Sequence, residues 1–173
     1  MNVVPELLRN FRVYDEGNDL LGISDVEMPS LEAMTETVKG AGIAGEIDSP
    51  VVGHFGSMEL KLNWRTVIKN NTSLAAPRSH QLDLRGDQQT YDSSAGVYKT
   101  SALKVVVRGV PKTTELGKMD VGTSTDTSNT FEVNYLKVDI DGRTVIEIDK
   151  YNYICKIDGI DYLSESREAL GLV

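Results

Sequence analysis

The segment that most resembles a metal site is Asp139-Ile140-Asp141-Gly142, because its carboxylate spacing matches the opening of a calcium-binding loop. An EF-hand loop needs further oxygen ligands and a Glu at its twelfth position. Lys150 occupies that position here, and alternating apolar residues continue through the segment. Since Asp-Gly is a preferred two-residue turn between antiparallel strands, the segment predicts a β-hairpin turn rather than a metal site.

A second candidate is the glycine pattern Gly40-x-Gly42-x-x-Gly45, which matches a dinucleotide-binding fingerprint by its letters. That fingerprint requires a following helix whose N-terminus receives the pyrophosphate. No amphipathic helical pattern follows Gly45. The glycines therefore predict a flexible or interface loop.

Cys155, His54 and His80 are the residues that could supply a nucleophile and a base. Cys155 is the only cysteine and lies in an apolar strand pattern, where a buried structural thiol is the ordinary interpretation. One cysteine and two histidines exclude a disulfide framework and a three-histidine metal centre. The sequence predicts no enzyme, no cofactor and no metal site.

The chain has 173 residues, of which 26 are acidic and 18 are basic, and its formal net charge is −8. This length fits one domain, so we expect residues 1–173 to form a single domain. Lys and Arg supply non-specific affinity for DNA by neutralising phosphates, and an acidic chain is therefore not expected to grip DNA. No secretory signal and no long apolar run is visible, so we expect a soluble protein made in a cytoplasm without membrane contact.

Two-residue alternation of apolar and polar side chains dominates the chain and predicts strands. The clearest strand covers residues 58–65, with Met58, Leu60, Leu62 and Trp64 on one face. Residues 31–39 also fit a helix, but their threonine-rich end favours a strand. The predicted fold is mainly β, an antiparallel β-sandwich or barrel with one or two short helices.

Three further patterns refine this fold. Phe131 and Val133 share one phase, whereas Leu136 and Val138 share the opposite one, which predicts a β-bulge or a change of covering layer. Residues 123–130 contain no apolar side chain and predict a loop tip. Residues 40–53 predict a long glycine-rich connection.

An open sheet leaves edges unpaired, and copies of the same chain can pair them in a closed ring.

Several segments, in this order, resemble the major tail tube proteins of contractile-tailed bacteriophages. The N-terminal ones are LRNFRVY at 8–14, VEMPSL at 26–31 and KGAGIAGEID at 39–48. LDLRG at 82–86 and VVVRG at 105–109 look like paired strands that end in Arg-Gly. The most specific are YLKVDIDG at 135–142, VIEID at 145–149, IDGIDY at 157–162 and REALGL at 167–172.

The resemblance implies a single tail-tube-like domain and a structural role. Six copies form a ring, about four strands from each copy pair into one large barrel, and rings stack into a rigid tube inside a contractile sheath. The tube is the conduit for the genome, and DNA passes through it without specific binding. Implied partners are the tail sheath, baseplate and tail terminator proteins. The implied location is the virion tail, assembled in the cytoplasm of the host bacterium.

Two groups of residues are predicted to serve this role. The lumen strands are placed at residues 31–39, 58–65, 81–91 and 103–110. A polar face of these strands suits a channel, because acidic groups repel DNA phosphates. Predicted lumen-facing residues are Glu32, Glu36, Glu59, Lys61, Asp83, Asp87 and Lys104. Predicted contacts between stacked rings lie in the glycine-rich connection and are Gly40, Gly42, Ile43, Gly45, Ile47, Val51 and Val52.

Each of these two assignments has an alternative in which the residues have no role in assembly. The charged positions could be ordinary solvated residues, and the glycine-rich connection could fold back over its own core. At the level of function, the alternative is a monomeric β-barrel that binds a small ligand, which requires an apolar interior cavity and no assembly.

Overall fold

The computed structural model describes residues 2–172, and antiparallel strands dominate it, which confirms the predicted fold class. The strands are β1 Val3–Asp15, β2 Asn18–Asp19, β3 Ile23–Glu27, β4 Ala33–Lys39, β5 Glu46–Phe55, β6 Glu59–Trp64, β7 His80–Asp92, β8 Val97–Glu115, β9 Thr127–Ile140, β10 Arg143–Asp149, β11 Ile154–Ile157 and β12 Ile160–Asp161. Two short helices, α1 Lys69–Ser73 and α2 Ser164–Ala169, complete the described part of the chain. Within residues 2–172, no helix has the length and apolar character needed to span a bilayer.

Ten strands form one sheet that folds over a single core. One layer, which we call the four-stranded layer, consists of β3, β6, residues 127–132 of β9 and residues 110–115 of β8. The other, the long-stranded layer, runs in the order β12-β11-β10-β9-β8-β7-β1-β2 through the remaining parts of β8 and β9. β8 and β9 thus belong to both layers, as strands do at the corner of a sandwich.

A bulge at Asn134 marks this corner. Arg108 pairs with Tyr135 and Gly109 pairs with Val133, so Asn134 is left without a partner on β8. The extra residue reverses which face each following side chain occupies. The predicted change of phase within residues 131–140 is confirmed.

The core fills the space between the two layers. Met58, Leu60, Leu62 and Trp64 of β6 are buried on one side, as the alternation predicted. From the long-stranded layer, buried apolar side chains of β7, β8 and β9 join the same cluster, namely Leu82, Leu84, Val105, Val107 and Leu136. Side chains of both layers therefore occupy the interior.

Two predicted loops are wrong in part. Only residues 40–45 of the glycine-rich connection form a turn, because residues 46–55 are strand β5. The predicted loop tip at 123–130 ends at residue 126, and Thr127, Ser128 and Asn129 are buried strand residues. Their polar side chains have partners: the Thr127 hydroxyl donates to the Leu116 carbonyl at 2.9 Å, and the Asn129 amide donates to the Asn71 carbonyl at 3.1 Å. Strand β4 confirms the strand interpretation of residues 31–39.

The close approach of β8 to β9 at the corner generates a stability prediction. A Cβ on Gly109 would stand 2.8 Å from the Glu132 carbonyl oxygen, and backbone cannot move aside without breaking the ladder. We expect Gly109→Ala to lower the free energy of unfolding by about 1–3 kcal/mol, the usual cost of overpacking. Chemical denaturation measures this loss.

Gly86→Ala is the matched control for this prediction, since Gly86 lies in the neighbouring strand β7. The only tight contact of its Cβ would be the Cδ1 atom of Leu8, at 3.0 Å, and this side-chain end can rotate away, while the Leu103 atoms at 3.5 and 3.6 Å are at ordinary contact distance. We expect a smaller loss for Gly86→Ala. Equal losses for both variants would contradict the assignment of the corner contact.

Candidate assembly interface

A two-stranded hairpin, which we call the arm, extends from the body of the protein. It consists of β4, β5 and the turn at 40–45, and its strands form a sheet of their own. All seven residues of β4 are exposed. Seven residues at about 3.3 Å per residue give the arm a reach of roughly 20 Å.

One face of the arm carries exposed apolar side chains on both sides of the Glu36–Ser49 pair. Val38 pairs with Ile47 across the two strands, and Met34 lies on the same face of β4. Ile47 is 54% exposed and Met34 is 53% exposed. The opposite face is polar, with the Thr37 hydroxyl donating to Asp48 at 3.0 Å. A lone two-stranded hairpin is marginally stable in water, so exposed apolar side chains on one face of a hairpin indicate a contact surface for another molecule.

The root of the arm is held by Leu163, the residue that precedes α2, and by Lys150. Gly53 approaches Leu163 so closely that a Cβ would stand 2.6 Å from its Cδ2 atom. The Lys150 ammonium donates to the Gly56 carbonyl at 2.7 Å. Arg167 of α2 donates a hydrogen bond to the Asp161 carboxylate and thereby lowers the pKa of Asp161, which stays charged and fixes the helix beside the root.

A second exposed apolar segment lies at the other end of the four-stranded layer. The strands β3 and β6 meet the arm at Glu27 and Glu59, and their opposite ends lie beside residues 127 and 115. Residues 116–126 join β8 to β9 at that opposite end. Met119 and Val121 in this loop are both 99% exposed. The two exposed apolar segments therefore lie at opposite ends of the same strands.

Two edges of the four-stranded layer are open. Among residues 2–172, β3 pairs only with β6, and residues 110–115 of β8 pair only with β9, since the pairing of β8 with β7 stops at Gly109. The long-stranded layer also has an open edge along most of β1, where β2 pairs only with Tyr14 and Asp15. Open edges of this kind can pair with another chain.

The outward face of the four-stranded layer is acidic. Lys112 contacts two of its carboxylates, Glu59 at 2.6 Å and Glu132 at 3.7 Å, and the hydrogen bond with Glu59 raises the pKa of Lys112. The register places five acidic residues and two lysines on this face: Asp25, Glu27, Glu59, Glu115, Glu132, Lys61 and Lys112. Carboxylates outnumber lysines here even after the Lys112 pairs are formed.

The outward face of the long-stranded layer carries mixed charge. Arg9 pairs with Asp87 at 2.7 Å, and the Arg108 guanidinium stacks 4.1 Å from the centre of the Tyr135 ring. The register places basic and acidic residues here in similar numbers: Arg12, Arg85, Lys104, Arg108 and Lys137 with Asp83, Asp87, Asp139 and Glu147. This face therefore lacks the excess of negative charge found on the four-stranded layer.

The structure does not bring the seven predicted lumen residues together. Two, Glu59 and Lys61, share the outward face of the four-stranded layer. Asp83, Asp87 and Lys104 share the outward face of the long-stranded layer, on the other side of the core. Glu36 is on the arm and Glu32 precedes it, so strand 31–39 is not a neighbour of the other three predicted lumen strands.

Sequence reasoning missed several residues of the acidic face. Asp25, Glu27 and Glu132 alternate with inward apolar residues, which is a signal for an outward face. The sequence does not reveal that β3 and β9 flank β6, and this pairing places them beside Glu59.

The predicted ring-stacking residues do lie in one element. Gly40, Gly42, Ile43 and Gly45 form the turn of the arm, and Ile47, Val51 and Val52 are on its strand β5. The alternative was that this segment folds back over its own core. It is wrong for residues 40–52, whose side chains are exposed or half-exposed. Whether they touch another ring stays a prediction.

The residues considered for catalysis lie in separate places. Cys155 is buried on β11, where desolvation raises the pKa of its thiol. Buried His80 lies beside the Ala76 carbonyl, with its Nε2 3.0 Å away, and its ring packs edge-on against Phe131. His54 is exposed on the arm. Across residues 2–172, no group of three His, Cys, Asp or Glu residues is placed to hold a metal ion.

Comparison with known proteins gives consistent matches over nearly the whole chain. The family model described as phage tail tube protein FII matches residues 5–171. The tail tube protein of Escherichia phage P2 is 27% identical over 176 residues, which cover 98% of this chain and 99% of that protein. The major tail tube protein of Serratia phage KSP20 is 26% identical over 173 residues, covering 98% of each chain.

A solved structure shares the fold. It is a chain from the cryo-EM structure of an extracellular contractile injection system, the PVC sheath/tube terminator in its extended state. The TM-score is 0.53 at 10% identity, and the match covers 76% of this chain and 94% of that chain. At this identity the likeness concerns the fold alone.

The contact between Gly53 and Leu163 generates a prediction for the arm root. Gly53 and Gly42 both have positive φ, 73° and 89°, so Ala costs about 1–2 kcal/mol of backbone strain at either position. Only at Gly53 does the new Cβ also meet a buried side chain. We expect Gly53→Ala to destabilise the protein more than Gly42→Ala, and to speed proteolytic cleavage between residues 46 and 56.

Leu163→Ala tests the cause. It removes the atoms that the new Cβ would meet, so the added cost of Gly53→Ala should shrink in a Leu163→Ala background. An unchanged cost would show that strain alone, rather than the Leu163 contact, explains the effect.

Proposed function

The chain belongs to the phage tail tube protein FII family, which confirms the resemblance of its motifs, and from this premise we propose that residues 1–173 act as one tail tube domain. Six copies form a ring, and stacked rings form the inner tube of a contractile tail through which the genome is delivered. None of the named relatives is named for an enzymatic activity, and the protein is a structural protein rather than an enzyme. The observation that carries the assembly proposal is the arm, whose apolar face is exposed in the single chain.

The placement of apolar segments supports axial stacking. The arm extends from one end of the four-stranded layer, and the loop 116–126 with Met119 and Val121 lies at the other end. A contact between two different surfaces of identical subunits is head-to-tail, and such contacts repeat without limit when they do not close. Arms of one ring that reach the loop end of the next ring therefore produce a tube of any length.

The charge distribution supports the four-stranded layer as the channel wall. Six copies would bring twenty-four strands around the axis, and barrels of this size leave an aqueous channel. An acidic wall repels the phosphates of duplex DNA, which then moves without adhering. This proposal keeps Glu59 and Lys61 as lumen residues and assigns Asp83, Asp87 and Lys104 to the outer side of the ring.

The outer side is where the tube meets other tail proteins in this proposal. The long-stranded layer presents stacked arginines and the exposed Tyr98 there. The partners that this role requires are a tail sheath outside the tube, a baseplate at one end and a tail terminator at the other. The protein is then a virion component that is assembled in the bacterial cytoplasm and needs no cofactor.

The competing ligand-binding barrel predicts a different solution behaviour. Its interior would have to hold a ligand, whereas side chains of both layers occupy the interior here. Sedimentation velocity of the purified chain over a concentration series, followed by negative-stain electron microscopy, separates the two functions. Rings or tubes support the tube, and a monomer at every concentration supports the ligand-binding barrel.

In the proposed tube, the exposed pair Val38 and Ile47 of the arm lies in the contact between rings. Ile47→Asp places a charge in the proposed contact between rings, and burying an unpaired carboxylate there is costly. We expect a folded subunit with an unchanged circular dichroism spectrum that no longer forms tubes. Micrographs of concentrated protein measure the loss.

Thr35→Asp is the matched control, because Thr35 is exposed on the opposite, polar face of the same arm. It adds the same charge to the same hairpin and should leave tube formation intact. Normal tubes with Ile47→Asp would refute the arm contact.

The outward faces of the four-stranded layer and of the long-stranded layer are the two candidate channel walls, and a charge reversal on each distinguishes them. Glu59 and Asp87 are closely matched, with side chains 49% and 45% exposed and one short ion pair each, but they lie on different outward faces. We expect tubes of Glu59→Lys to retain duplex DNA at low salt in a form protected from nuclease. The retention should fall with added salt, because it depends on released counterions.

Asp87→Lys should bind DNA, if at all, only in a form that nuclease digests. Protection with Asp87→Lys and none with Glu59→Lys would place the long-stranded layer at the channel instead. In that case the assignment of the channel wall to the four-stranded layer is wrong, but the proposed function as a tail tube still stands.

A further inference from the structure

We propose that Asp15 and His80 form a proton-binding pair in the core, a pH-sensitive device that tightens the contact between β1 and β7 when the surroundings become mildly acidic. The bound species is a single proton, which comes to lie between Oδ1 of Asp15 and Nδ1 of His80. This inference concerns the single chain and does not depend on the proposed function. Neither residue belongs to a surface that we assign to the tube.

The two side chains are neighbours on the inward face of the long-stranded layer. Asp15 pairs with Leu82 across β1 and β7, and His80 lies two residues before Leu82, on the same face of β7. His80 and Leu82 are each only 1% exposed. Diagonal neighbours on adjacent strands lie about 7–8 Å apart, a separation that a carboxylate and an imidazole together can bridge.

Each of the two side chains has one buried polar atom without a hydrogen-bond partner among residues 2–172. These atoms are Oδ1 of Asp15 and Nδ1 of His80. The other ring nitrogen of His80, Nε2, lies 3.0 Å from the Ala76 carbonyl oxygen. A carbonyl oxygen only accepts, so Nε2 carries the ring hydrogen and neutral His80 has a lone pair at Nδ1. When Asp15 is ionised, two acceptors therefore lie in the same part of the core without a donor.

A single proton from solvent gives both atoms a partner. Protonated Asp15 donates its O–H to Nδ1, and the equivalent form has a carboxylate accepting from an imidazolium; both forms contain the same one added proton. A buried polar atom without a hydrogen bond is costly, so the folded chain binds this proton more readily than the unfolded chain does. In agreement, desolvation raises the pKa of Asp15, although attraction to a charged His80 opposes this effect.

The other charged groups near the pair act in opposite directions. Glu16, in the turn after β1, raises the pKa of Asp15, and Arg78, just before β7, lowers it. Arg78 and Glu16 also pair with each other at 3.4 Å. The residues of the remaining elements that pair with or contact the two side chains are uncharged: Asn18 of β2, Ala76 before β7, Gly109 of β8 and Phe131 of β9. The proton response therefore belongs to Asp15 and His80.

The sign of this response is opposite to that of two other carboxyl groups. Hydrogen bonds from Lys99 and Arg167 lower the pKa of Asp92 and Asp161, respectively. Their stabilisation is present above the usual carboxyl pKa of about 3.9 and is lost as the pH falls below it. Because the pKa of Asp15 is raised, its contribution is present at acidic pH and is lost as the pH rises through the pKa of the folded state. On acidification, the pair therefore gains stability before the Asp92 and Asp161 contacts lose theirs.

Asp15→Asn tests the pair, because an amide N–H donates to Nδ1 at every pH and takes up no proton. Urea unfolding of the wild-type chain and of this variant is compared between about pH 8 and about pH 5. We expect the wild-type chain to gain stability relative to the variant as the pH falls. The gain is a factor of about ten in the equilibrium constant for each unit by which folding raises the pKa of Asp15. Identical pH dependence of the two proteins overturns the proposal.

Asp83→Asn is the matched control. Asp83 lies on β7 and also has a buried Oδ1 without a partner in the described part of the chain, but its side chain is on the outward face, away from His80. The pH dependence of this variant should match that of the wild-type chain. A change as large as that of Asp15→Asn would show that any carboxylate of this layer produces the effect, which contradicts the pair.

Nitrogen-15 NMR of the His80 ring gives a second measurement that does not require unfolding. It is made in solution on the free chain, or in the solid state on assembled protein. As the pH falls, the Nδ1 signal of the wild-type chain should move from the position of a free lone pair toward that of a hydrogen-bonded or protonated nitrogen, while Nε2 stays protonated. A free lone pair at Nδ1 down to about pH 5 overturns the pair, even if Asp15→Asn fails to fold.

Discussion

The four-stranded layer has an unfinished backbone ladder, and the bend of the sheet that encloses the core is what leaves it unfinished. Backbone N–H and C=O groups need partners, and a sheet that bends into two layers satisfies all but its edges. The bulge at Asn134 and the close approach at Gly109 let β8 and β9 serve both layers. The same bend separates residues 110–115 from β7 and so creates an open edge opposite β3. The corner that encloses the core thus also produces the surfaces available for assembly.

The two outward faces differ in charge, and the net charge of the whole chain does not show this difference. The chain has an excess of acidic residues, yet the long-stranded layer is close to balanced, and its arginines are paired with Asp19 or Asp87 or stacked on tyrosines. The excess on the sheet collects on the four-stranded layer, where Lys112 offsets only part of it. In the proposed ring, repulsion between DNA and protein acts inside the channel, and near-neutral charge lies where proteins meet. This arrangement allows one chain to repel nucleic acid and bind other proteins.

The sequence predicted the features that depend on local alternation, namely strand faces and the bulge. It missed the features that depend on which distant strands pair. The face of Met58–Trp64 and the slip near Asn134 follow from neighbouring residues and are confirmed. Strand β5 lacks a regular alternation because most of its residues are exposed, so the glycine-rich residues 40–53 suggested a loop. Residues 127–129 form a buried strand without apolar side chains, because hydroxyl and amide groups find partners in other segments. Alternation identifies outward residues but not which of two outward faces they occupy, and Glu59 and Asp87 were therefore grouped together.

The arm connects the stability of the single chain to assembly. Its own strands supply cross-strand hydrogen bonds, but a two-stranded hairpin gains little apolar burial by itself. Gly53 against Leu163 fixes the root, whereas Val38 and Ile47 are exposed in the single chain. Lys39, Glu46 and Asp48 keep the other face charged, which discourages edge-to-edge aggregation. In the proposed tube, the apolar burial that the hairpin lacks alone is supplied by the next ring, so completion of the fold and polymerisation are one process.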